Sequence, residues 1–257
     1  MTHPYFERAA RPRVLAHRGL VTAEGEQSGV WENSAAAVAA AHASGADYVE
    51  TDCRVTADGD VVLFHDETLA RLVDDGRPVS AVSTAELREL FEDHGGLLTV
   101  ADALASFPVT RFNIDVKADA AVDPLGPALA AHTARVLVTS FSDRRRRAAV
   151  AAVMRAGAAM RPAVSGGSTT IAALRAASAA HLSPARLLRD IDAVQIPERR
   201  GPLRVLTPSL IRAAHRHDVE VHVWTVNDAD DMRRLVEHGV DGIVTDRADV
   251  ALSVLSA

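Results

Sequence analysis

The most constraining feature of the sequence is a regular alternation of short β-rich runs with alanine-rich or amphipathic helical stretches. Such alternation is typical of a parallel α/β architecture. About eight such runs in 257 residues predict a TIM (β/α)₈ barrel that forms a single domain over residues 1–257. The runs predicted as strands are RVLAHRG (13–19), YVETDCRV (48–55), VVLFHD (61–66), RFNIDVK (111–117), RVLVTSF (135–141), MRPAVSG (160–166), AVQIP (193–197), EVHVWTV (220–226) and GIVTD (242–246).

Turn and cap residues support this division of the chain. Asp58-Gly59 between two β-rich runs predicts a tight hairpin turn that leads into VVLFHD. Thr207, before a proline, and Asp228 are predicted to cap the starts of helices. Three glycines follow helical stretches and are predicted to take the left-handed conformation that ends a helix: Gly45, Gly157 and Gly239.

Charge and cysteine content limit the possible partners. Because 34 acidic residues outweigh 28 basic ones, the net charge is −6, which offers no general attraction to nucleic acid or anionic lipid. Any recognition of phosphate must therefore be local. The single cysteine, Cys53, excludes an intrachain disulfide and is interpreted as a core residue. No apolar run approaches the roughly 20 residues of a membrane span, and the first residues do not resemble a signal peptide, so we expect a cytoplasmic protein.

Carboxylates occur inside otherwise apolar strands. Glu50 and Asp52 are two residues apart, so their side chains point to the same face of one strand, and Asp115 with Lys117 repeats this spacing on another. Converging carboxylates repel each other unless a cation or proton lies between them. Oxygen ligands suit Mg²⁺ or Ca²⁺ better than zinc. The acids therefore predict a metal site, while the alternative is that they form salt bridges with Lys117 and Arg18.

Two histidines are predicted at separate strand ends, His17 in His17-Arg18-Gly19 and His65 in His65-Asp66. The carboxyl ends of barrel strands form the active site in this fold. Cleavage of a phosphodiester needs a base for the attacking oxygen and an acid for the departing one, and imidazole can serve in either role near neutral pH. Arg18 and Lys117 are predicted to hold the phosphate oxygens.

These pieces together resemble the glycerophosphodiester phosphodiesterase family. Each motif is weak alone, but the ordered set is specific and extends over nearly the whole chain. The matching motifs are HRG at 17–19, EN at 32–33, ETD at 50–52, HD at 65–66, DVK at 115–117, SFS from 140, VWTVND from 223 and DGIVTDRAD from 241.

The resemblance implies hydrolysis of a glycerophosphodiester to glycerol 3-phosphate and an alcohol. It implies that His17 and His65 are the acid and base, that Glu50 and Asp52 bind metal, and that Arg18 contacts phosphate. The third metal ligand of the family is usually glutamate, and the matching residue here is Asp115, whose side chain is shorter by one methylene.

Three further residues are candidates for the site. The resemblance places Glu32 nearby, either as a metal ligand or as a partner of a basic residue. It also places the indole of Trp224, within a strand and on one side with His222 and Val226, against the glycerol carbons. Packing in the barrel core is the alternative for Trp224. Phe141 could form a similar apolar wall, although core packing is the favoured interpretation for it.

Two other functions stay open at this point. Sphingomyelinase D-like phospholipases use the same barrel with a shorter third acid and yield a cyclic phosphate, and a phosphate-binding barrel without catalysis is the second alternative. Metal dependence would distinguish an enzyme from a binder. The sequence leaves open the substrate head group, Mg²⁺ against Ca²⁺, which histidine is the acid, whether water or a neighbouring hydroxyl attacks, and the oligomeric state.

Overall fold

The computed structural model describes residues 3–7 and 9–255. Its strands are β1 (Arg13–His17), β2 (Tyr48–Val55), β3 (Val61–Leu63), β4 (Arg111–Val116), β5 (Val136–Thr139), β6 (Ala163–Val164), β7 (Ala193–Ile196), β8 (Arg199–Arg200), β9 (Leu203–Arg204), β10 (Glu220–Val223) and β11 (Gly242–Thr245). Its α-helices are α1 (Ala23–Gln27), α2 (Ala35–Ala43), α3 (Ala70–Val73), α4 (Thr84–Phe91), α5 (Val100–Ser106), α6 (Val122–Leu129), α7 (Asp143–Arg155), α8 (Ser168–Ala179), α9 (Ala185–Leu188), α10 (Pro208–His215), α11 (Ala229–Glu237) and α12 (Ala248–Leu255).

Eight of these strands form a nearly closed parallel barrel. They are neighbours in the order β6, β5, β4, β2, β1, β11, β10, β7, and a parallel bridge between Ser165 and Ala193 joins the two end strands. The predicted TIM barrel is therefore confirmed. Among the described residues, no helix is long and apolar enough to cross a membrane.

Several strands end earlier than the sequence pattern predicts. The predicted strand VVLFHD is reduced to β3, which pairs antiparallel with β2 and lies outside the barrel order, so His65 follows it in a loop. Trp224 is not within a strand, because β10 ends at Val223. Lys117 lies one residue beyond β4. These polar or bulky side chains belong to the loops at the mouth of the barrel, where pairing between strands has stopped.

The predicted helix ends and starts are confirmed. Gly45, Gly157 and Gly239 have φ angles of 93°, 90° and 91°, the left-handed region that glycine enters without strain. The side chain of Thr207 accepts a hydrogen bond from the backbone N–H of Leu210. Asp228 similarly accepts from the backbone at the start of α11.

A buried ion pair lies at the end of the barrel where the strands begin. Arg13, at the start of β1, is 1% exposed, and its Nε lies 2.7 Å from Glu220 Oε2 at the start of β10. Arg13 also donates to the hydroxyl of Tyr48 and to the carbonyl of Phe6. Tyr5 and Phe6 pack into the same interior cluster, so the amino-terminal segment covers this end of the barrel.

Glu220→Gln is expected to lower the free energy of unfolding by about 3–5 kcal/mol at pH 6, because it leaves the buried Arg13 guanidinium without its counter-charge. Desolvation of Glu220 acts to raise its pKa, but the hydrogen bonds from His222 and Arg13 outweigh it and lower the pKa from 4.5 to about 2. The stabilisation is therefore present above about pH 4.5 and lost as the pH falls through about 2. Urea unfolding at pH 6 and pH 3 measures it.

Asp123→Asn is the matched control, because Asp123 pairs with Arg155 at a surface where both side chains are exposed. Its cost is expected to stay below about 1 kcal/mol at either pH. An equal loss of unfolding free energy in both variants would contradict a stabilising role for the Arg13–Glu220 pair. A difference in unfolding free energy between wild type and Glu220→Gln that is larger at pH 3 than at pH 6 would also contradict it.

Candidate active site

The carboxyl ends of the barrel strands open into a cavity of about 580 Å³. Nine of the ten predicted site residues line it: His17, Arg18, Glu50, Asp52, His65, Asp115, Lys117, Phe141 and Trp224. Glu32 lies behind this lining and contacts Arg18, whose Nη1 donates to Glu32 Oε1 at 2.8 Å. The structure thus brings together side chains that are far apart in sequence, from His17 to Trp224.

Strand register places the three carboxylates side by side. Glu50 and Asp52 lie on β2, and Asp52 is directly opposite Asp115 of β4. All three are at least nine-tenths buried. Burial raises the pKa of Glu50 to about 8, with a further contribution from Asp52. Burial also raises the pKa of Asp115, against the opposing effect of Lys117.

Lys117 occupies the space between two of these acids. Its Nζ lies 2.8 Å from Asp52 Oδ1 and 2.7 Å from Asp115 Oδ2. Desolvation acts to lower the pKa of Lys117, but the two carboxylates outweigh it and raise the pKa to about 12. The other oxygen of each acid, Asp52 Oδ2 and Asp115 Oδ1, has no hydrogen-bond partner. The ammonium group therefore offsets only part of the negative charge of this cluster.

Positively charged side chains contact some oxygens of the acidic cluster but leave others without a hydrogen-bond partner. Arg18 Nε lies 3.0 Å from Asp52 Oδ2, although the geometry is not that of a hydrogen bond. Glu50 Oε2 is also buried without a hydrogen-bond partner. Within residues 3–7 and 9–255, no three histidine, cysteine or acidic side chains already converge as metal ligands. The salt bridges that the sequence analysis gave as the alternative to a metal site, from Arg18 and Lys117, are thus present. One buried oxygen of each acid nevertheless has no hydrogen-bond partner.

The loop after β1 places His17 and Arg18 at the cavity by a sharp backbone turn. Arg18 and Gly19 have φ angles of 57° and 88°. A Cβ at position 19 would lie 2.6 Å from the backbone carbon of Ala37 at the side of α2. Only glycine fits at position 19, so the glycine of the HRG motif is required by the backbone turn.

His17 is held by a residue that sequence reasoning did not single out. Its Nδ1 lies 2.6 Å from Asp246 Oδ1, just beyond β11, and its Nε2 lies 3.8 Å from Glu50. Burial acts to lower the pKa of His17, but the hydrogen bond to Asp246 and the charge of Glu50 raise it above its usual value. Asn227 donates to the other oxygen of Asp246 at 2.8 Å. Asp246 ends the run GIVTD, so the rule applied to the other strand ends would have found it.

His65 belongs to a chain of charges that reaches back to Arg18. Its Nδ1 lies 2.8 Å from Asp66 Oδ1, and Arg71 Nε lies 2.6 Å from Asp66 Oδ2. Arg71 also pairs with Glu32, which pairs with Arg18. Sequence reasoning missed Arg71, because a single arginine on the short helix α3 carries no periodic or strand-end signal.

The aromatic candidates form one wall of the cavity. The rings of Phe141 and Trp224 lie 5.9 Å apart at 68°, an edge-to-face contact. Phe141 is 58% exposed, so the expectation that it packs in the core is wrong. Lys117 Nζ lies 5.3 Å from the centre of the Phe141 ring, which ties this wall to the acidic cluster.

Asp246→Asn is expected to lower kcat about 10- to 100-fold with little change in KM, because asparagine keeps the shape but loses the charge that orients and stabilises the His17 ring. Steady-state kinetics on a glycerophosphodiester, the substrate that the sequence resemblance implies, measures this. Asp249→Asn is the control. Asp249 lies three residues after Asp246 and pairs with Arg247 at the surface, so its loss should leave kcat within about twofold. Equal kcat values for the two variants would exclude a positioning role for Asp246.

The barrel and its cavity can be compared with known proteins. The sequence profile of the glycerophosphoryl diester phosphodiesterase family matches residues 17–250. A protein of Mycobacterium tuberculosis named probable glycerophosphodiester phosphodiesterase 2 is 37% identical over 250 residues, which is 95% of this chain and 90% of that protein. A glycerophosphodiester phosphodiesterase of Caldanaerobacter subterraneus is 25% identical over 94% of this chain and 97% of its own.

Solved structures share the barrel fold. A glycerophosphodiester phosphodiesterase from Thermotoga maritima superposes with a TM-score of 0.71 at 23% identity, covering 94% of this chain and 96% of that one. A phosphodiesterase from Oleispira antarctica, in complex with the product sn-glycerol-3-phosphate, gives a TM-score of 0.72 at 19% identity, covering 96% and 98%.

Taken together, the barrel and the family match define a phosphoric diester hydrolase. The chain belongs to the glycerophosphoryl diester phosphodiesterase family, since the profile covers most of its length and a relative above 30% identity extends over nearly all of it.

Proposed function

We propose that this protein hydrolyses glycerophosphodiesters to sn-glycerol 3-phosphate and an alcohol, with a divalent metal and two histidines. The observation that carries the proposal is one cavity that contains the buried acids of β2 and β4, His17 and His65, and two cations, Arg18 and Lys117. The Oleispira antarctica phosphodiesterase that shares the barrel fold was solved in complex with the product sn-glycerol-3-phosphate, which supports the same product here. We further propose that the barrel is a single domain.

The acidic cluster has the donor set that Mg²⁺ or Ca²⁺ prefers. Glu50, Asp52 and Asp115 each keep one buried oxygen without a hydrogen-bond partner, and carboxylate oxygens are the ligands that these hard cations take. A polar atom buried without a partner is costly, so a ligand for these oxygens is expected. These three residues would hold the metal, which supplies positive charge next to the phosphate oxygens.

Side chains of the protein transfer the protons and bind the phosphate. One of His17 and His65 removes the proton from the attacking oxygen, and the other protonates the departing alkoxide. Asp246 and Asp66 each contact Nδ1 of one histidine, which leaves Nε2 of both rings for the reaction. Arg18 holds the phosphate oxygens and stabilises the charge that develops in the transition state.

Lys117 and the aromatic wall complete the binding site. Lys117 already contacts two acids and lies beside Phe141, so its ammonium group is available to the same phosphate that the acidic cluster faces. Trp224 and Phe141 provide apolar surface for the glycerol carbons. Asp115 is shorter than the usual family glutamate, so its carboxylate reaches less far into the cavity.

A coupled assay tests this proposal. Purified protein is given glycerophosphocholine with Mg²⁺, with Ca²⁺ or with a chelator, and sn-glycerol 3-phosphate is measured with a specific dehydrogenase. We expect release of sn-glycerol 3-phosphate that requires metal. Release of a cyclic phosphate without the monoester would assign a sphingomyelinase D-like reaction. Absence of turnover on this and other glycerophosphodiesters would leave a phosphate-binding barrel.

A further inference from the structure

The cavity continues past the proposed catalytic groups into a second region. Part of the cavity lining comes from α8 and from the hairpin of β8 and β9. We call this region the distal half and define it by its lining side chains: Ile171, Ala172, Arg175, Arg199, Arg200 and Leu203. Three of these six side chains are arginines, and the proposed reaction uses none of them.

The charge of the distal half is unbalanced. Among the described residues, no acidic side chain lies within 4.0 Å of the charged nitrogens of Arg175, Arg199 or Arg200 in an ion pair. Glu198, the residue before Arg199, pairs with Arg234 at 2.8 Å, although its charge also acts on Arg199. The acidic residues that line the cavity are those of the cluster on β2 and β4, Glu50, Asp52 and Asp115.

Backbone contacts position two of the arginines without neutralising them. Arg175 Nε donates to the carbonyl of Arg204 at 3.3 Å, which ties α8 to the hairpin. Arg199 donates to the carbonyl of Pro202 at 3.1 Å within the hairpin turn. A carbonyl oxygen carries no full charge, so the positive charge of both guanidinium groups is retained.

The start of α8 does not supply this positive region. Asp143 already accepts hydrogen bonds from the backbone of Gly167 at 3.1 Å and of Thr170 at 2.9 Å. The N–H groups of Gly167 and Thr170, which would attract an anion at a helix start, are therefore occupied by a side chain of the protein itself. Recognition of an anion in the distal half must come from the arginines.

We infer that the distal half binds an anionic group, a phosphate or a carboxylate, on the part of the substrate that extends past Phe141 and Trp224 away from the cleaved phosphodiester. This inference rests on the proposed function for the position of the cleaved bond. Guanidinium groups are the side chains best suited to hold phosphate and carboxylate oxygens. Ile171 and Leu203 contact the carbon atoms that connect the two anionic groups. Because the net charge of the protein is −6, this attraction is local.

Two matched substrates test the inference. Glycerophosphoglycerophosphoglycerol has a second phosphodiester group, whereas glycerophosphoglycerol has one, and both have glycerol at each end. We expect kcat/KM to be about 10-fold higher for the doubly charged substrate at low ionic strength, and the preference to shrink in 0.5 M salt. Glycerophosphocholine, with a cationic alcohol, is expected to be the poorest of the three. Equal values for all three substrates would overturn the inference and leave the proposed function intact.

The arginines are tested with a control on the same hairpin. Arg199→Gln combined with Arg200→Gln is expected to lower kcat/KM for the doubly charged substrate about 10-fold and for glycerophosphoglycerol less than twofold. Arg204→Gln removes one positive charge from β9, directly opposite Arg199, and is compared with Arg199→Gln alone, because Arg204 does not line the cavity. It should leave both values unchanged. A similar loss of kcat/KM for the doubly charged substrate in Arg204→Gln would show that the effect is general electrostatic attraction, and it would contradict a specific site.

Direct binding separates this inference from the proposed function. Titration calorimetry in the presence of a chelator measures affinity when no substrate is turned over. We expect tighter binding of glycerophosphoglycerophosphoglycerol than of glycerophosphoglycerol, with the difference lost in the double variant. That result would support the distal site even if no diester were hydrolysed in the assay. Equal affinities for the two compounds would overturn it.

Discussion

His17→Ala and His65→Ala are each expected to lower kcat by roughly 10²–10⁴-fold, because each removes a group that moves a proton in the proposed mechanism. The double variant is expected to lose little more than the worse single variant, since two groups that act in one step are not additive. Stopped assays that detect sn-glycerol 3-phosphate cover this range of rates.

Control measurements separate catalysis from folding. His42, exposed on α2 and outside the cavity lining, provides a control in His42→Ala, which should keep kcat within about twofold. Circular dichroism and the thermal midpoint should show that all three single variants are folded. Near-normal kcat in folded His17→Ala and His65→Ala would reject the assignment of these residues as acid and base.

Removing the proposed metal is expected to have an effect of similar size. A chelator, or Asp52→Asn, should lower kcat by roughly 10³-fold, since a cation next to the phosphate supplies several kcal/mol of charge stabilisation in the transition state. Added Mg²⁺ or Ca²⁺ should restore the chelated wild type but not the variant. The thermal midpoint gives a second readout, because a ligand that binds only the folded state raises it.

Variants at position 115 test the departure from the family pattern. Asp115→Glu introduces the glutamate that the resemblance implies at this position and is expected to keep metal-dependent activity within about 10-fold, whereas Asp115→Asn should behave like Asp52→Asn. Asp47→Asn, at an exposed position before β2, is the control without effect on metal dependence. Full activity of the wild type in chelator, with no shift of the thermal midpoint on adding either cation, would contradict a metal site.

The sequence pattern was sufficient for the barrel because each βα unit carries local signals. Thr207, Asp228 and the glycines at helix ends act within one or two turns of backbone, so they can be identified without the rest of the structure. The extent of VVLFHD could not be determined in this way. The Asp58-Gly59 turn predicts that this run returns antiparallel to the strand before it, and the pairing of β3 with β2 confirms this. The turn does not show that the strand ends at Leu63 and lies outside the barrel order.

The candidate site could be predicted where reactive side chains are spaced two residues apart along a strand. Glu50 and Asp52 are two residues apart on a strand, so a common face follows from geometry alone. The position of Lys117 between Asp52 and Asp115 depends on the register of β2 and β4, which the sequence does not contain. Arg71 lies on a short helix and reaches His65 only through Asp66, so no local pattern points to it.

Phosphorus NMR of a single reaction in ¹⁸O-labelled water tests the central claim most directly. Purified protein, glycerophosphocholine and Mg²⁺ or Ca²⁺ should convert the diester signal into that of sn-glycerol 3-phosphate carrying one ¹⁸O atom on phosphorus, and a chelator should stop the conversion. An unchanged diester signal under every metal condition, or accumulation of a cyclic phosphate as the final product, would contradict the account.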